Sequence, residues 1–334
     1  MTLNPSSLSG AHPLRPRVRV HASAAAAAQI PTRSVRGRRA APQGAPGTSG
    51  CRYCRQDRTG VATVRTRRQR LGQHFLRDAA TARAIAAALA GDPPRVLEIG
   101  PGRGALTGPL LERFGHVRAV ELDGALAAGL ARRLGDPPGL EVRHADALAD
   151  DLDALAAGGP WQVAANLPYS VGTAIVRRLL PRRDLFALLV VMVQLEVAQR
   201  MVAPPGGRNR GLMTLETEAY GRAEILFTVP PGRFAPPPKV NSAVVRIGLR
   251  PDPAPAAAIE RGLSLASLAF AQRRKKIANP LAAAAAPAGI AAACAAAGVD
   301  PGARPQELAW DAWLALGRAI AESGAAGRHG EGRA

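Results

Sequence analysis

Residues 95–115 read RVLEIGPGRGALTGPLLERFG. An apolar run, 95–100, stops at a cluster of glycines. A helical pattern, 104–115, then starts and closes on Gly115. Strand, glycine turn and helix in that order make the first unit of a Rossmann-like sheet. Gly100, Gly102 and Ala105 fit the spacing GxGxx(G/A). Glycines there let a ligand approach the backbone closely, and the helix start favours electronegative groups. Taken alone, the turn does not choose between a nicotinamide dinucleotide and another adenosine cofactor, or exclude a plain tight turn.

The same alternation continues outward in both directions. Upstream, 67–78 leads into a helix ending at Gly91. Downstream, strands are expected at 117–122, 140–145, 161–165 and 185–193, with helices at 124–135, around 170–180 and at 194–202. Two further strands, 223–229 and 242–249, flank the Pro-rich loop PPGRFAPPPKVN. Short apolar strands alternating with amphipathic helices predict a doubly wound, mostly parallel α/β sheet. From about 254 to 323 only helical patterns follow, which predicts a small C-terminal all-helical domain. The expected organisation is a basic extension over 1–66, a sheet domain over 67–252, a helical domain over 253–323 and a short tail over 324–334.

Composition narrows the partners. The chain has 334 residues, 47% of them hydrophobic, and a formal net charge of +19. Residues 1–70 hold fourteen Arg, no Lys and one acid, Asp57, giving +13 and leaving +6 for the rest. The folded part is therefore less basic than the pI of about 11.5 suggests. Such charge attracts polyanions, nucleic acid first. The acid-poor start reads as disordered, and its composition fits either an organelle transit peptide or an over-long translated start. No apolar run reaches the ~18 residues of a membrane span, so no membrane partner is expected. Three Cys exclude a disulfide framework. The lone pair Cys51 and Cys54 has no second half, and no metal is expected. A protein of a reducing compartment, the cytoplasm, is expected, or of a plastid or mitochondrion if 1–66 is a transit peptide.

Three more motifs sit where strands end. Glu121, in AVELD, follows the glycine loop at the distance of about 20 residues at which a carboxylate accepts the ribose hydroxyls of an adenosine cofactor. Asp146, in HADAL, follows the third strand and can accept from an adenine amino group or cap a helix. NLPYS, 166–170, follows the fourth. There Asn166 offers an amide oxygen, Pro168 stiffens the turn so that backbone carbonyls can face a pocket, and Tyr169 offers a ring face. That combination suits an exocyclic amine on an aromatic base. Two acceptors hold the amine hydrogens and the ring fixes the base plane. Orientation and electrostatics then carry the reaction without a strong base.

These motifs, with LGQHFL, RFAPPPKVNSAVV and FAQRRKKI in order and at fitting distances, resemble the ribosomal RNA adenine dimethyltransferases of the KsgA type over residues 67–320. The resemblance implies S-adenosylmethionine as cofactor, held by Gln73, His74, Leu76, Glu98, Gly100, Gly102, Glu121, Asp146 and Asn166. It implies that Asn166, the carbonyl of Leu167 and Tyr169 hold the target amine, with Phe234 on the other side of the adenine. It implies RNA contact by Lys239 and by Arg273, Arg274, Lys275 and Lys276. The family's targets are two adjacent adenines near the 3′ end of small-subunit ribosomal RNA, dimethylated at N6 late in subunit assembly. The implied partners are that RNA and the pre-small-subunit particle, met by a monomer.

The sequence departs from the family pattern at three places. His74 stands where Asn is usual, Leu195 where a basic residue is common, and Arg210, Gly211 and Leu212 within a segment usually reading Tyr-Gly-Arg-Leu-Ser. The last two put details of RNA contact in doubt, not the chemistry. The alternatives are a large-subunit methyltransferase of the macrolide-resistance type, which usually has Ile at the position of Leu167, and an assembly factor of the same fold without catalysis. A nicotinamide oxidoreductase would share the glycine loop but has no need of NLPY.

Overall fold

In the computed structural model, residues 73–251 and 254–330 are described, with side chains through residue 322. The basic extension and its Cys51–Cys54 pair lie outside the described residues. Strand β1 (Phe75–Leu76) precedes α1 (Ala79–Ala88), and β2 (Val96–Ile99) precedes α2 (Thr107–Phe114). Then come β3 (Val117–Glu121), α3 (Gly124–Arg133), β4 (Leu140–His144), α4 (Leu152–Leu155) and β5 (Trp161–Asn166). The second half runs α5 (Gly172–Leu179), β6 (Phe186–Gln194), α6 (Leu195–Met201), α7 (Leu212–Tyr220), β7 (Gly221–Val229), β8 (Phe234–Ala235) and β9 (Ser242–Leu249).

Seven strands form one sheet in the order β4-β3-β2-β5-β6-β9-β7. The five from β4 to β6 are mutually parallel, while β9 pairs antiparallel with both β6 and β7. The expected sheet is thus observed, with a hairpin added at one edge. The inner strands are apolar on both faces because helices cover both. Alternation then sorts them into two cores. Leu97, Ile99, Val163, Ala165, Leu189 and Val191 face one layer; Val96, Ala164, Leu188, Val190 and Met192 face the other.

Local chemistry places the helix boundaries. The carboxylates of Asp78 and Asp123 accept backbone N–H groups at the starts of α1 and α3. Gly115 ends α2 in the left-handed region at φ 69°. The segment around 212–220, which carries no strong pattern in the sequence, is helix α7, and it links the sheet to the C-terminal helices.

Helices α8 (Ala256–Ala271), α9 (Ala278–Leu281), α10 (Pro287–Ala296) and α11 (Trp310–Gly330) come after the sheet. They share one apolar cluster around the fully buried Trp313, and Leu215 and Ala219 of α7 belong to it. Arg210, also fully buried, fixes this junction. Its Nη1 and Nη2 donate to the two carboxylate oxygens of Glu218, each at 2.7 Å. Nε and Nη2 donate to the Leu308 carbonyl at 3.1 and 3.0 Å, and Nη1 to that of Ala203 at 2.8 Å. The departure at Arg210 is therefore a structural one. A guanidinium with no exposed surface has nothing left for RNA.

Candidate active site

The chain leaves β2 to one side for β3 and β4, then returns to the other side for β5. Ligands bind open α/β sheets at the carboxyl edge where this reversal occurs. The loop 100–104 leaves that edge of β2, Glu121 ends β3, and Asn166 ends β5.

Gly102 has φ 58°, and a Cβ there would stand 2.9 Å from Cε1 of Phe75. Only glycine fits. Its N–H donates to Glu121 Oε2 at 2.9 Å, and the N–H of Asp123 donates to Oε1 at 2.9 Å. The strand-end acid is thus bolted to the glycine loop. A carboxylate has about four lone-pair sites, so each oxygen keeps acceptor capacity for a diol.

Glu98 lies one strand residue before the loop and is buried to 1% exposure. Its Oε2 has no hydrogen-bond partner among the described residues. Burial pushes this carboxyl up to about 8, the Thr107 hydroxyl beside it pulls it down, and the Glu121 carboxylate pushes it up. The Thr107 hydroxyl is itself unpaired by strict geometry. A buried, unpaired acid next to a second acid suits a cationic ligand that reaches it. Asp146 uses Oδ1 to accept the N–H of Leu148 at 2.8 Å, which closes the turn after β4.

At the end of β5, Asn166 donates Nδ2 to the His74 carbonyl at 3.1 Å. A carbonyl can only accept, so the amide orientation is determined by its partner. Oδ1 accepts no hydrogen bond among the described residues. The ring of His74 lies 5.3 Å from that of Tyr169, tilted by 38°, and His74 Nδ1 bonds to the Pro236 carbonyl at 2.8 Å. The Tyr169 hydroxyl lies 2.6 Å from the Ser242 hydroxyl. Burial raises the Tyr169 hydroxyl above its ordinary value, and the Ser242 hydrogen bond lowers it. The Pro168 carbonyl takes the N–H groups of Val171 and Gly172 at the start of α5, at 3.1 and 2.8 Å. The Leu167 carbonyl takes neither. Residues from 74, 166–169, 236 and 242 thus meet at one point.

Not every expected residue is presented there. Leu76 and Phe234 are register partners in the β1–β8 ribbon, and both are buried in the same core cluster. Phe234 is 2% exposed; without substrate its ring is core, not an open pocket wall. Gln73 is half-buried just ahead of the ribbon. Lys239, Arg274, Lys275 and Lys276 are exposed, whereas Arg273 is half-buried and donates Nη2 to the Arg208 carbonyl at 2.6 Å. Ser242 escapes sequence reasoning because 73 positions separate it from Tyr169. Its only signal is its place in the KVNSAVV motif. Among the described residues no group of His, Cys, Asp or Glu could hold a metal ion, and no helix is long and apolar enough to cross a membrane.

A parallel sheet of this order, closed by an antiparallel strand inserted beside the last parallel one, is that of a Rossmann-like methyltransferase. The profile of the ribosomal RNA adenine dimethylases matches residues 64–322, and the chain belongs to that family. The ribosomal RNA small subunit methyltransferase A of Synechococcus sp. (strain WH7803) is 38% identical over 273 residues, covering 78% of this chain and 96% of its own. The protein of that name from Rubrobacter xylanophilus is 42% identical over 258 residues, covering 76% and 95%. Among solved structures, the 23S rRNA methyltransferase ErmE is 30% identical with a TM-score of 0.60, over 74% of this chain and 99% of its own. A dimethyladenosine transferase from Plasmodium falciparum superposes with a TM-score of 0.62 at 22% identity, a likeness of fold.

Proposed function

We propose that this chain dimethylates N6 of two adjacent adenines near the 3′ end of small-subunit ribosomal RNA, using S-adenosylmethionine, during small-subunit biogenesis. The observation that carries the reading is the Asn166 amide, held through its nitrogen by the His74 carbonyl beside the ring of Tyr169. That leaves Oδ1 to accept one hydrogen of the target amine, with the Leu167 carbonyl accepting the other. Two such acceptors favour a pyramidal nitrogen whose lone pair is available. Tyr169 fixes the plane of the base. The amine loses its proton to water as the nitrogen becomes cationic, and the pocket readmits the monomethyl product for a second transfer.

The residues present fit the cofactor. Glu121 is set for the ribose hydroxyls and Asp146 for the adenine amine. The unpaired Glu98 carboxyl suits the cationic end, and Gln73, Gly100, Gly102 and the backbone of Leu76 line the approach. When bound, S-adenosylmethionine supplies an electrophilic methyl group on a sulfonium. Lys239, Arg274, Lys275 and Lys276 meet RNA phosphates. Phe234 joins the base only after the β1–β8 ribbon yields. The chain acts as a monomer on the pre-small-subunit particle in the cytoplasm.

Identities of 38% and 42% over 96% and 95% of two small-subunit enzymes support the small subunit over the resistance type. The test is incubation of undermethylated small subunits with labelled S-adenosylmethionine. Dimethyladenosine should map near the 3′ end of the small-subunit RNA. Label confined to large-subunit RNA would overturn the reading.

A further inference from the structure

Beside the amine site lies a groove of about 450 Å³ that methyl transfer itself does not use. It is lined by Gln194, Leu195, Glu196 and Gln199 at the end of β6 and on α6, and by Pro231 and the segment Lys239–Val240–Asn241. Its volume falls within the range of about 300–1,000 Å³ typical of small-ligand pockets. The two walls are joined by the Leu195 N–H donating to the Asn241 carbonyl at 3.0 Å. They adjoin the amine site at the buried Ser242, which pairs with Gln194 across β6 and β9 and bonds the Tyr169 hydroxyl.

The lining is specific in character. Three side-chain amides, on Gln194, Gln199 and Asn241, offer donors and acceptors to base edges, with Gln199 Oε1 also accepting from Asn209 Nδ2 at 3.3 Å. Leu195 and the exposed Val240 offer an apolar patch to a base face. Of the two charges, Glu196 is occupied by Arg200. Lys239 has no ion-pair partner among the described residues and is exposed. One available cation with amides and an apolar patch is the chemistry of a single nucleotide: phosphate, base edge and base face. A basic residue at position 195 would displace that apolar patch.

We infer that this groove seats the nucleotide adjoining the target adenine, with Lys239 on its phosphate and Gln194, Gln199 and Val240 on its base. The inference rests on the methyltransferase reading and extends it. The nucleotide one phosphodiester away from an adenine held by Tyr169 lies within reach of the groove, whose residues Gln194 and Asn241 are the register partner and the chain neighbour of the Ser242 that bonds Tyr169. It would hold the strand in register while the adenine is delivered.

The test uses the full chain with undermethylated small subunits and compares Gln199→Ala, Val240→Asp and Lys239→Ala with wild type. Each is expected to raise KM on the order of tenfold, as loss of a base or phosphate contact does, while kcat and affinity for S-adenosylhomocysteine change little. Lys239→Ala should also lower the salt slope of RNA binding by about one. A substrate in which the neighbouring nucleotide is abasic should show the same loss with wild type, and no further loss with Gln199→Ala. Wild-type KM in all three variants, or fully additive losses with the abasic substrate, overturns the groove. Failure of wild type to methylate small subunits would instead overturn the reading on which it rests.

Discussion

The Asn166 side chain and the His74 backbone are 92 positions apart in sequence and 3.1 Å apart in space. The amide proposed to face the target amine is therefore oriented by the residue that leads into the first described strand of the protein.

Asn166→Ala removes that acceptor and should lower kcat by 10²–10³ or so, the usual effect of deleting one preorganised electrostatic partner. Asn166→Asp should do no better, since its carboxylate would face the His74 carbonyl with no hydrogen to give. Single-turnover methyl transfer with RNA binding measured in parallel checks both, and binding should be nearly unchanged. Full activity in either variant removes Asn166 from the mechanism.

Tyr169 has two separable parts. Tyr169→Phe keeps the ring and should retain transfer within a few-fold, but it strands the buried hydroxyl of Ser242 at a cost of about 1–3 kcal/mol of stability. Tyr169→Ala removes the stacking face, worth about 1–3 kcal/mol per base, and should reduce kcat/KM by tenfold or more. Equal activities for the two variants would show that the ring does not touch the base.

Glu98 gives a pH signature. Its carboxyl holds a proton to about pH 8 in the folded chain, against an ordinary value of 4.5. Between those limits the folded state binds the extra proton, so stability without cofactor falls as pH rises from about 4.5 to about 8. Glu98→Gln should lose that slope and be the more stable protein at pH 8, by an amount on the order of a few kcal/mol. Urea unfolding at pH 5 and pH 8 measures it. Parallel pH profiles for wild type and variant would sink the assignment.

Arg210 should matter for cohesion and not for chemistry. Arg210→Met leaves the part-exposed Glu218 without its cation and the Leu308 and Ala203 carbonyls without their donor, and each buried acceptor left unpaired costs about 1–3 kcal/mol. The variant should unfold at lower denaturant yet transfer methyl groups at near wild-type rate where it remains folded. A loss of activity with unchanged stability would contradict this placement.

Most of the sheet was legible because its strands are short, apolar and separated by glycine-ended helices. The motifs at strand ends then fell to the carboxyl edge by topology alone. What was not legible depends on contacts between distant segments. The β1–β8 ribbon is two residues long on each side and leaves no periodicity. Helix α7 carries little amphipathic pattern because both its sides are packed, one by sheet and one by the C-terminal helices. Arg210 read as a departure bearing on RNA contact since nothing local announces that its partners lie at 203, 218 and 308. Phe234 could be assigned a motif, but its burial follows from pairing with Leu76.

The His74 ring and the Pro236 carbonyl it bonds are separated by 162 positions. A chain is made from its N-terminus, at about 5–20 residues per second. The glycine loop, Glu121 and Asp146 are all available early, so the side of the cleft proposed for the cofactor can take shape while synthesis continues. The other side waits for 234–242 to emerge. The proposed amine side of the cleft is thus complete only once about 240 of the 334 residues have been translated.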